Sequence, residues 1–250
     1  SYFMVTEKDI NIKISKLAVL TSGGDAPGMN AAIRSVARSC SHYGIQCFGV
    51  SRGYQGLIEG KIKPLGTRSV KNILNKGGTI LKSARSKEFM TKEGRLKAYE
   101  SLKNQEINNL VVIGGDGSFT GGYVFEKEFG VSVVGIPGTI DNDIFGTDST
   151  VGYDTALNTV VEAIDKIRDT AISHNRLFFV EVMGKDAGHI ALNTGIGIGA
   201  SEILIPEKDK GLDKLLKSLK RSKKSGRLSS IVVVAEWDKI WKNVFELAQY

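Results

Sequence analysis

The chain has 250 residues, 41% of them hydrophobic and 24% charged, with a net charge of +7 and 29 glycines. That composition fits one large or two small globular domains and excludes a fibrous, disordered or disulfide-stapled chain. With no signal peptide, no run of about 18 apolar residues and two cysteines (Cys40, Cys47) in neither metal nor redox spacing, a cytoplasmic chain with reduced thiols is expected.

In chain order, residues 1–12 read as a lead segment outside the fold. Residues 16–22 (KLAVLTS) predict a strand, 28–42 a helix and 45–51 a second strand. Helices are predicted at 69–77 and 93–104, a strand at 108–114, a helix at 120–129 and a strand at 131–137. The second half predicts a helix at 153–171, a strand at 176–183, a helix at 187–196, a strand at 202–207, a helix at 211–224 and a strand at 229–236. Several strands are continuously apolar, as in a parallel sheet covered on both faces. The βαβα rhythm predicts a doubly wound α/β fold, whose ligands bind beyond the carboxyl ends of the strands. A boundary near 148–153 gives two domains, 1–150 and 151–250.

The basic excess is concentrated in residues 208–227, where Leu212, Leu215, Leu216 and Leu219 recur at helical spacing. The pattern predicts an amphipathic helix with a solvated lysine face, the alternative being an anion site at its C-terminal end. No aromatic residue interleaves these cations, so no nucleic-acid partner is expected, and without a long apolar run no membrane partner is expected either.

The predicted strand ends carry the chemistry. "GGDAPGMNAAIR" turns from the first strand into a helix whose N–H groups can hold a phosphate, or form an empty corner; no Walker lysine follows. "VVIGGDGSFTGG" brackets Asp116 with glycines, which suits a hydrated Mg²⁺ on phosphate oxygens; a turn-capping aspartate is the alternative. "GGTILKSARSKEF" places Lys82 and Arg85 after a glycine pair. "VVGIPGTIDND" ends a strand in two carboxylates and an amide, more acid than a turn needs. "RLFFVEVMGKDAGH" ends a strand at Met183-Gly184-Lys185. His174 and Arg176 precede that strand, so Arg176 would more easily serve a neighbouring subunit's site. His42, His174 and His189 are read as structural. "GIGIGA" (195–200) lies between a helix and a following strand, the reverse of a dinucleotide fingerprint. Together these features form a phosphoryl-transfer constellation, with no Ser-His-Asp or zinc pattern beside it.

In order, "GGDAPGMNAAIR", "GGDGSFTGG", "PGTIDND", "VEVMGKDAGH" and "IPE" resemble the bacterial-type ATP-dependent 6-phosphofructokinase family over about residues 16–236. The resemblance implies two doubly wound, mainly parallel-sheet domains, the first binding ATP and the second fructose 6-phosphate, with the active site in the cleft between them. It implies transfer of the γ-phosphoryl of MgATP to the sugar's 1-hydroxyl. Gly23, Arg85, Ser86, Gly115, Asp116, Gly117 and Ser118 would bind ATP, with Asp116 and Asp143 on the Mg²⁺ side. Asp141 would be the base, with Thr139, Gly23 and Lys185 beside it in catalysis. Met183, Gly184, Lys185 and Glu236 would contact the sugar phosphate, with Arg176 reaching an adjacent subunit. Arg34, Arg38, Lys61, Arg168, Glu202 and Arg227 match an effector site for ADP or phosphoenolpyruvate between subunits of a homotetramer.

Pyrophosphate-dependent relatives carry GGDD and PKTIDND. Gly117 and Gly138 here favour ATP, because an aspartate at 117 would crowd its α-phosphate. Several positions depart from the family pattern. Lys185 replaces a common Arg and loses its bidentate fork. Lys82 replaces a common Gly, and Trp237 and Trp241 stand where Gly is expected, as engineered or misassigned positions would, the alternative being an evolved aromatic patch. The family's chain continues into a Q-R-G-G-x-P stretch with further cations, so the alternatives to an active kinase are a catalytically impaired fragment or a non-catalytic nucleotide- or effector-binding subunit.

Overall fold

The computed structural model describes residues 14–174, 176–208, 211–225, 230–236, 238 and 241. The chain divides into two α/β units, residues 1–136 and 137–250. This division falls before the expected boundary near 150, because residues 138–151 fold back on themselves. Gly138 bridges Val151, the Val151 N–H donates to the Pro137 carbonyl at 2.7 Å, and the Thr150 hydroxyl donates to the Thr139 carbonyl at 2.6 Å.

The first unit runs β1 (Lys16–Thr21), α1 (Met29–His42), β2 (Gln46–Val50), α2 (Gly53–Ile58), β3 (Ile62–Pro64), a 3₁₀ turn (Glu88–Met90), α3 (Lys92–Lys103), β4 (Asn109–Gly114), α4 (Asp116–Phe129) and β5 (Ser132–Pro137). Its sheet order is β3-β2-β1-β4-β5; β1 is parallel to β2 and β4, and β3 is an antiparallel edge. Alternate strand residues Ala18, Leu20, Leu110 and Val112 pack against Leu57, Leu102 and Phe125. Tyr54 stacks on Phe89 at 3.9 Å between ring centroids, and Phe89 in turn meets Phe125 at 5.6 Å.

The second unit runs α5 (Tyr153–His174), β6 (Leu177–Val182), α6 (His189–Gly197), β7 (Glu202–Leu204), α7 (Leu212–Lys224) and β8 (Ser230–Ala235), with a parallel sheet ordered β6-β8-β7. The strand period of two divides β8 between two cores. Ile231, Val233 and Ala235 face α5 and α6 residues, while Val232 and Val234 face Leu215 of α7. Trp241 belongs to this second cluster and stacks on Phe179 at 5.3 Å, so the indole fills a packed site. Trp237 lies outside the described residues.

Several elements differ from expectation. Residues 69–77 form turns instead of a helix; Asn72 adopts φ 56, which a right-handed helix cannot contain, and the Lys76 and Gly77 carbonyls are captured by the Asn30 amide. α4 starts at Asp116, earlier than 120, because Gly121 and Gly122 sit inside the helix where Tyr54, Phe89 and Val133 come close. β7 stops at Leu204, and Ile205 bridges Lys208 in a turn around Pro206. α7 buries Leu215, with Leu212 and Leu219 packed beside it, but leaves Leu216 exposed. Two short elements, α2 and β3, escape a periodicity search because they are six and three residues long.

Phe125 is fully buried. Phe125→Ala is expected to cost about 3–5 kcal/mol in urea denaturation, and a midpoint within error of the parent would contradict this packing.

Candidate active site

In the first unit, the loops after β1 and β4 touch. The Ser22 N–H donates to the Ile113 carbonyl at 2.9 Å, and a Cβ on Gly114 would lie 2.6 Å from the Ser22 carbonyl oxygen and 2.7 Å from Ser118 Oγ. Gly114 is therefore fixed by close approach. Gly23 adopts φ 86 and faces Ser118 Oγ. Asp116 opens α4 with Gly115 as N-cap, so an exposed carboxylate sits among the free N–H groups of a helix N-terminus. Gly117 differs from Gly114: no protein atom lies within 4 Å of where its Cβ would be, and its φ is not left-handed. Neither packing nor backbone conformation requires glycine there.

The segment carrying Lys82 to Ser86 is tied to these loops. Asn30, 1% exposed, donates to the Lys76 carbonyl and accepts from the Ile80 N–H, while the Thr21 hydroxyl donates to the Lys82 carbonyl at 2.9 Å. Lys82 adopts φ 59, which explains why glycine is common in the family pattern at this position. Arg85 is exposed, whereas the Ser86 hydroxyl is engaged by Gln55 and the Phe89 N–H. The buried Tyr54 hydroxyl donates to the Ser118 carbonyl at 2.7 Å and pins α2 to the Asp116 loop. Sequence reasoning missed the roles of Asn30 and Tyr54, because their backbone partners lie 46 to 64 residues away.

In the second unit, the β6 end carries a loop held by its neighbours. Glu236, just beyond β8, accepts from the Gly184 N–H (3.0 Å) and the Lys185 N–H (2.6 Å) with one oxygen, Oε1. Glu207, beyond β7, accepts from the Gly188 N–H at 2.8 Å. Gly184 at φ 146 and Lys185 at φ 56 make the turn between them. Met183 projects from this loop, 62% exposed. The Lys185 ammonium lies 3.8 Å from an Asp143 oxygen. Asp141 is half-buried, and its N–H donates to Thr139 Oγ1. Burial first, then the neighbouring Asp143, push the Asp141 carboxyl above the usual aspartate range; Lys185 and Thr139 pull partly the other way. Thus Thr139, Asp141, Asp143, Lys185 and Glu236 form one electrostatic group within this unit.

Other expected site residues stand elsewhere. Arg176 lies at the amino end of β6, where its N–H bonds to the Ala171 carbonyl, so the strand's length separates it from Met183 and Glu236. Arg34 and Arg38 lie on α1, and Lys61 pairs with Glu59. In the second unit, Arg168 donates to the Ile198 carbonyl and Glu202 accepts from the Ser218 hydroxyl. Arg227 lies outside the described residues. No group of three potential metal ligands occurs among the described residues, and none of their helices is long and apolar enough to cross a membrane.

Glycine-rich loops and carboxylates at the ends of parallel strands, beside cations, define a phosphotransferase of the doubly wound α/β class. The chain belongs to the phosphofructokinase family, whose model, described as "Phosphofructokinase", matches residues 16–249. Over 220 residues it is 57% identical to ATP-dependent 6-phosphofructokinase 2 of Bacteroides thetaiotaomicron, covering 88% of this chain and 68% of the relative. Over 223 residues it is 55% identical to ATP-dependent 6-phosphofructokinase 1 of Thermus thermophilus, covering 89% and 69%. The solved phosphofructokinase of Saccharomyces cerevisiae superposes with a TM-score of 0.85 at 42% identity, over 89% of this chain and 34% of that one. A pyrophosphate-dependent phosphofructokinase from Marinobacter aquaeolei shares the fold at a TM-score of 0.75 and 23% identity, over 89% of this chain and 60% of that one.

The raised Asp141 carboxyl has a consequence for stability. Between the ordinary aspartate value and the raised folded one, the native state binds more protons than the unfolded state, so stability falls as pH rises through that window. Asp141→Asn removes this loss. Its thermal midpoint is expected above the parent's at pH 7, with the difference shrinking below about pH 4. A difference independent of pH would rule out the titration.

Proposed function

We propose that the chain transfers the γ-phosphoryl of MgATP to the 1-hydroxyl of fructose 6-phosphate, giving fructose 1,6-bisphosphate and ADP, in the cytoplasm. The observation that carries this is Asp141: a half-buried carboxyl held high by burial and by Asp143, beside the Lys185 ammonium, in a family whose curated relatives are named ATP-dependent 6-phosphofructokinases. A general base works best when its pKa moves toward the working pH, which is the direction of this shift.

In this reading Asp141 accepts the proton of the sugar's 1-hydroxyl. Thr139 orients the transferred group, and Lys185 offsets charge developing beside Asp143. Gly184 and the Met183 side chain border the sugar, with Glu236 holding the loop by its two amide bonds. Asp116 in the first unit and Asp143 in the second each present a hard carboxylate of the kind that would hold Mg²⁺. The ion, when bound, neutralises charge on the phosphoryl oxygens. Gly23, Arg85, Ser86, Gly115 and Ser118 complete the nucleotide site.

Gly117 supports ATP as the donor. The open space beside Gly117 leaves room for a nucleoside triphosphate, and an aspartate there would add a second anion beside Asp116. Arg34, Arg38, Lys61, Arg168, Glu202 and Arg227 are assigned to an effector site for ADP or phosphoenolpyruvate in a homotetramer, with Arg176 serving the adjacent subunit.

The test is Mg²⁺-dependent ADP release with fructose 6-phosphate, with pyrophosphate as the competing donor. Sugar-dependent turnover with ATP alone is expected, and its absence would refute the assignment. Asp141→Ser should lower kcat by about 10²–10⁴-fold while ATP still binds; survival within tenfold means Asp141 is not the base. Gly117→Asp should raise the KM for ATP at least about tenfold with an unchanged denaturation midpoint, since uniform binding alone is lost.

A further inference from the structure

We propose that Asn142 is a positioning residue for phosphoryl transfer: its side chain closes the neck of the 139–150 loop and so sets the backbone that carries Asp141 and Asp143. The proposal rests on the reading of Asp141 as the base. Asn142 stands between the two carboxylates at φ 53, a conformation asparagine tolerates better than most residues. A plain turn asparagine bonds within its own turn, about two residues on. This one reaches further, accepting from the Thr150 N–H at 2.9 Å and donating to the Asp148 carbonyl at 3.3 Å.

The bonds form a circuit. Thr150 is 4% exposed, so without Asn142 its N–H would be buried without a partner. The Thr150 hydroxyl donates to the Thr139 carbonyl, and Thr139 Oγ1 accepts from the Asp141 N–H at 3.2 Å. Val151 then bonds back to Pro137 at the end of β5. Asn142 therefore links the far side of the loop to the residues flanking Asp141. An aspartate at 142 could still accept from Thr150. It would lose the donor to Asp148 and add a third carboxylate to the run, so the amide alone joins both sides of the neck without charge.

The experiment compares the parent with Asn142→Gly, which keeps the left-handed conformation and removes the side chain, and with Asn142→Asp, which keeps the acceptor. Amide hydrogen exchange at Thr150 and steady-state kinetics with MgATP and fructose 6-phosphate are measured. Asn142→Gly is expected to speed Thr150 exchange at least tenfold and to lower kcat about 10–100-fold with the KM for ATP nearly unchanged. Asn142→Asp should keep most of the Thr150 protection. Thr150 exchange and kcat within twofold of the parent in Asn142→Gly would overturn the proposal. So would exchange accelerated equally throughout residues 137–250, which would make Asn142 a general folding residue. A parent without sugar-dependent turnover counts against the kinase reading alone, and Thr150 exchange then decides the clamp by itself.

Discussion

Five consecutive residues of β8, Ile231 to Ala235, are buried, three facing one core and two the other. A strand covered on both faces has no side chain left for chemistry along its length. Polar function is therefore pushed to the strand ends, where the chain leaves the sheet. In the second unit the ends of β8, which pairs with β6, and of β7, which pairs with β8, answer in the same way. Glu236 after β8 and Glu207 after β7 each turn a carboxylate onto backbone N–H groups of the 184–188 segment. The loop's shape thus depends on the sheet's parallel order, which brings the carboxyl ends of β8 and β7 to the same edge as that of β6.

The first unit solves a similar problem with absent side chains. At Gly114 the missing Cβ lets the two loops approach, and a methyl there would strike a carbonyl and a hydroxyl. At Gly117 the missing Cβ serves no neighbour in the protein. The two glycines look alike in sequence and differ in kind: one is required by the fold, the other is not.

Much of this was legible in the sequence. Strands β1, β4 and β8 announced themselves because double-sided burial makes them continuously apolar, and the order of elements then implied parallel pairing. The acids and glycines of the site were legible because they exceed what turns need. Three kinds of feature were not. Short elements such as α2 give too few residues for a period to emerge. Residues 69–77 carry a helix-like pattern, yet Asn72 and the reach of Asn30 override it. The clamps Asn30, Tyr54 and Glu207 act on backbone groups 46 to 64 residues away or 19 residues back, separations that no local pattern records. Trp241 illustrates the same limit: against a pattern that expects glycine it looked misplaced, and it proves to close a cluster with Phe179.

That indole has a further use. Both tryptophans of the chain, Trp237 and Trp241, fall in the second unit, and the first has only tyrosines and phenylalanines as aromatic residues. Light absorbed near the red edge of the aromatic band therefore excites the second unit selectively. Emission from Trp241 tracks the packing of Phe179 and the β8 core, while tyrosine signals, most of them from the first unit, follow that unit. The chain thus carries its own spectroscopic means of asking whether its two halves melt together or in turn.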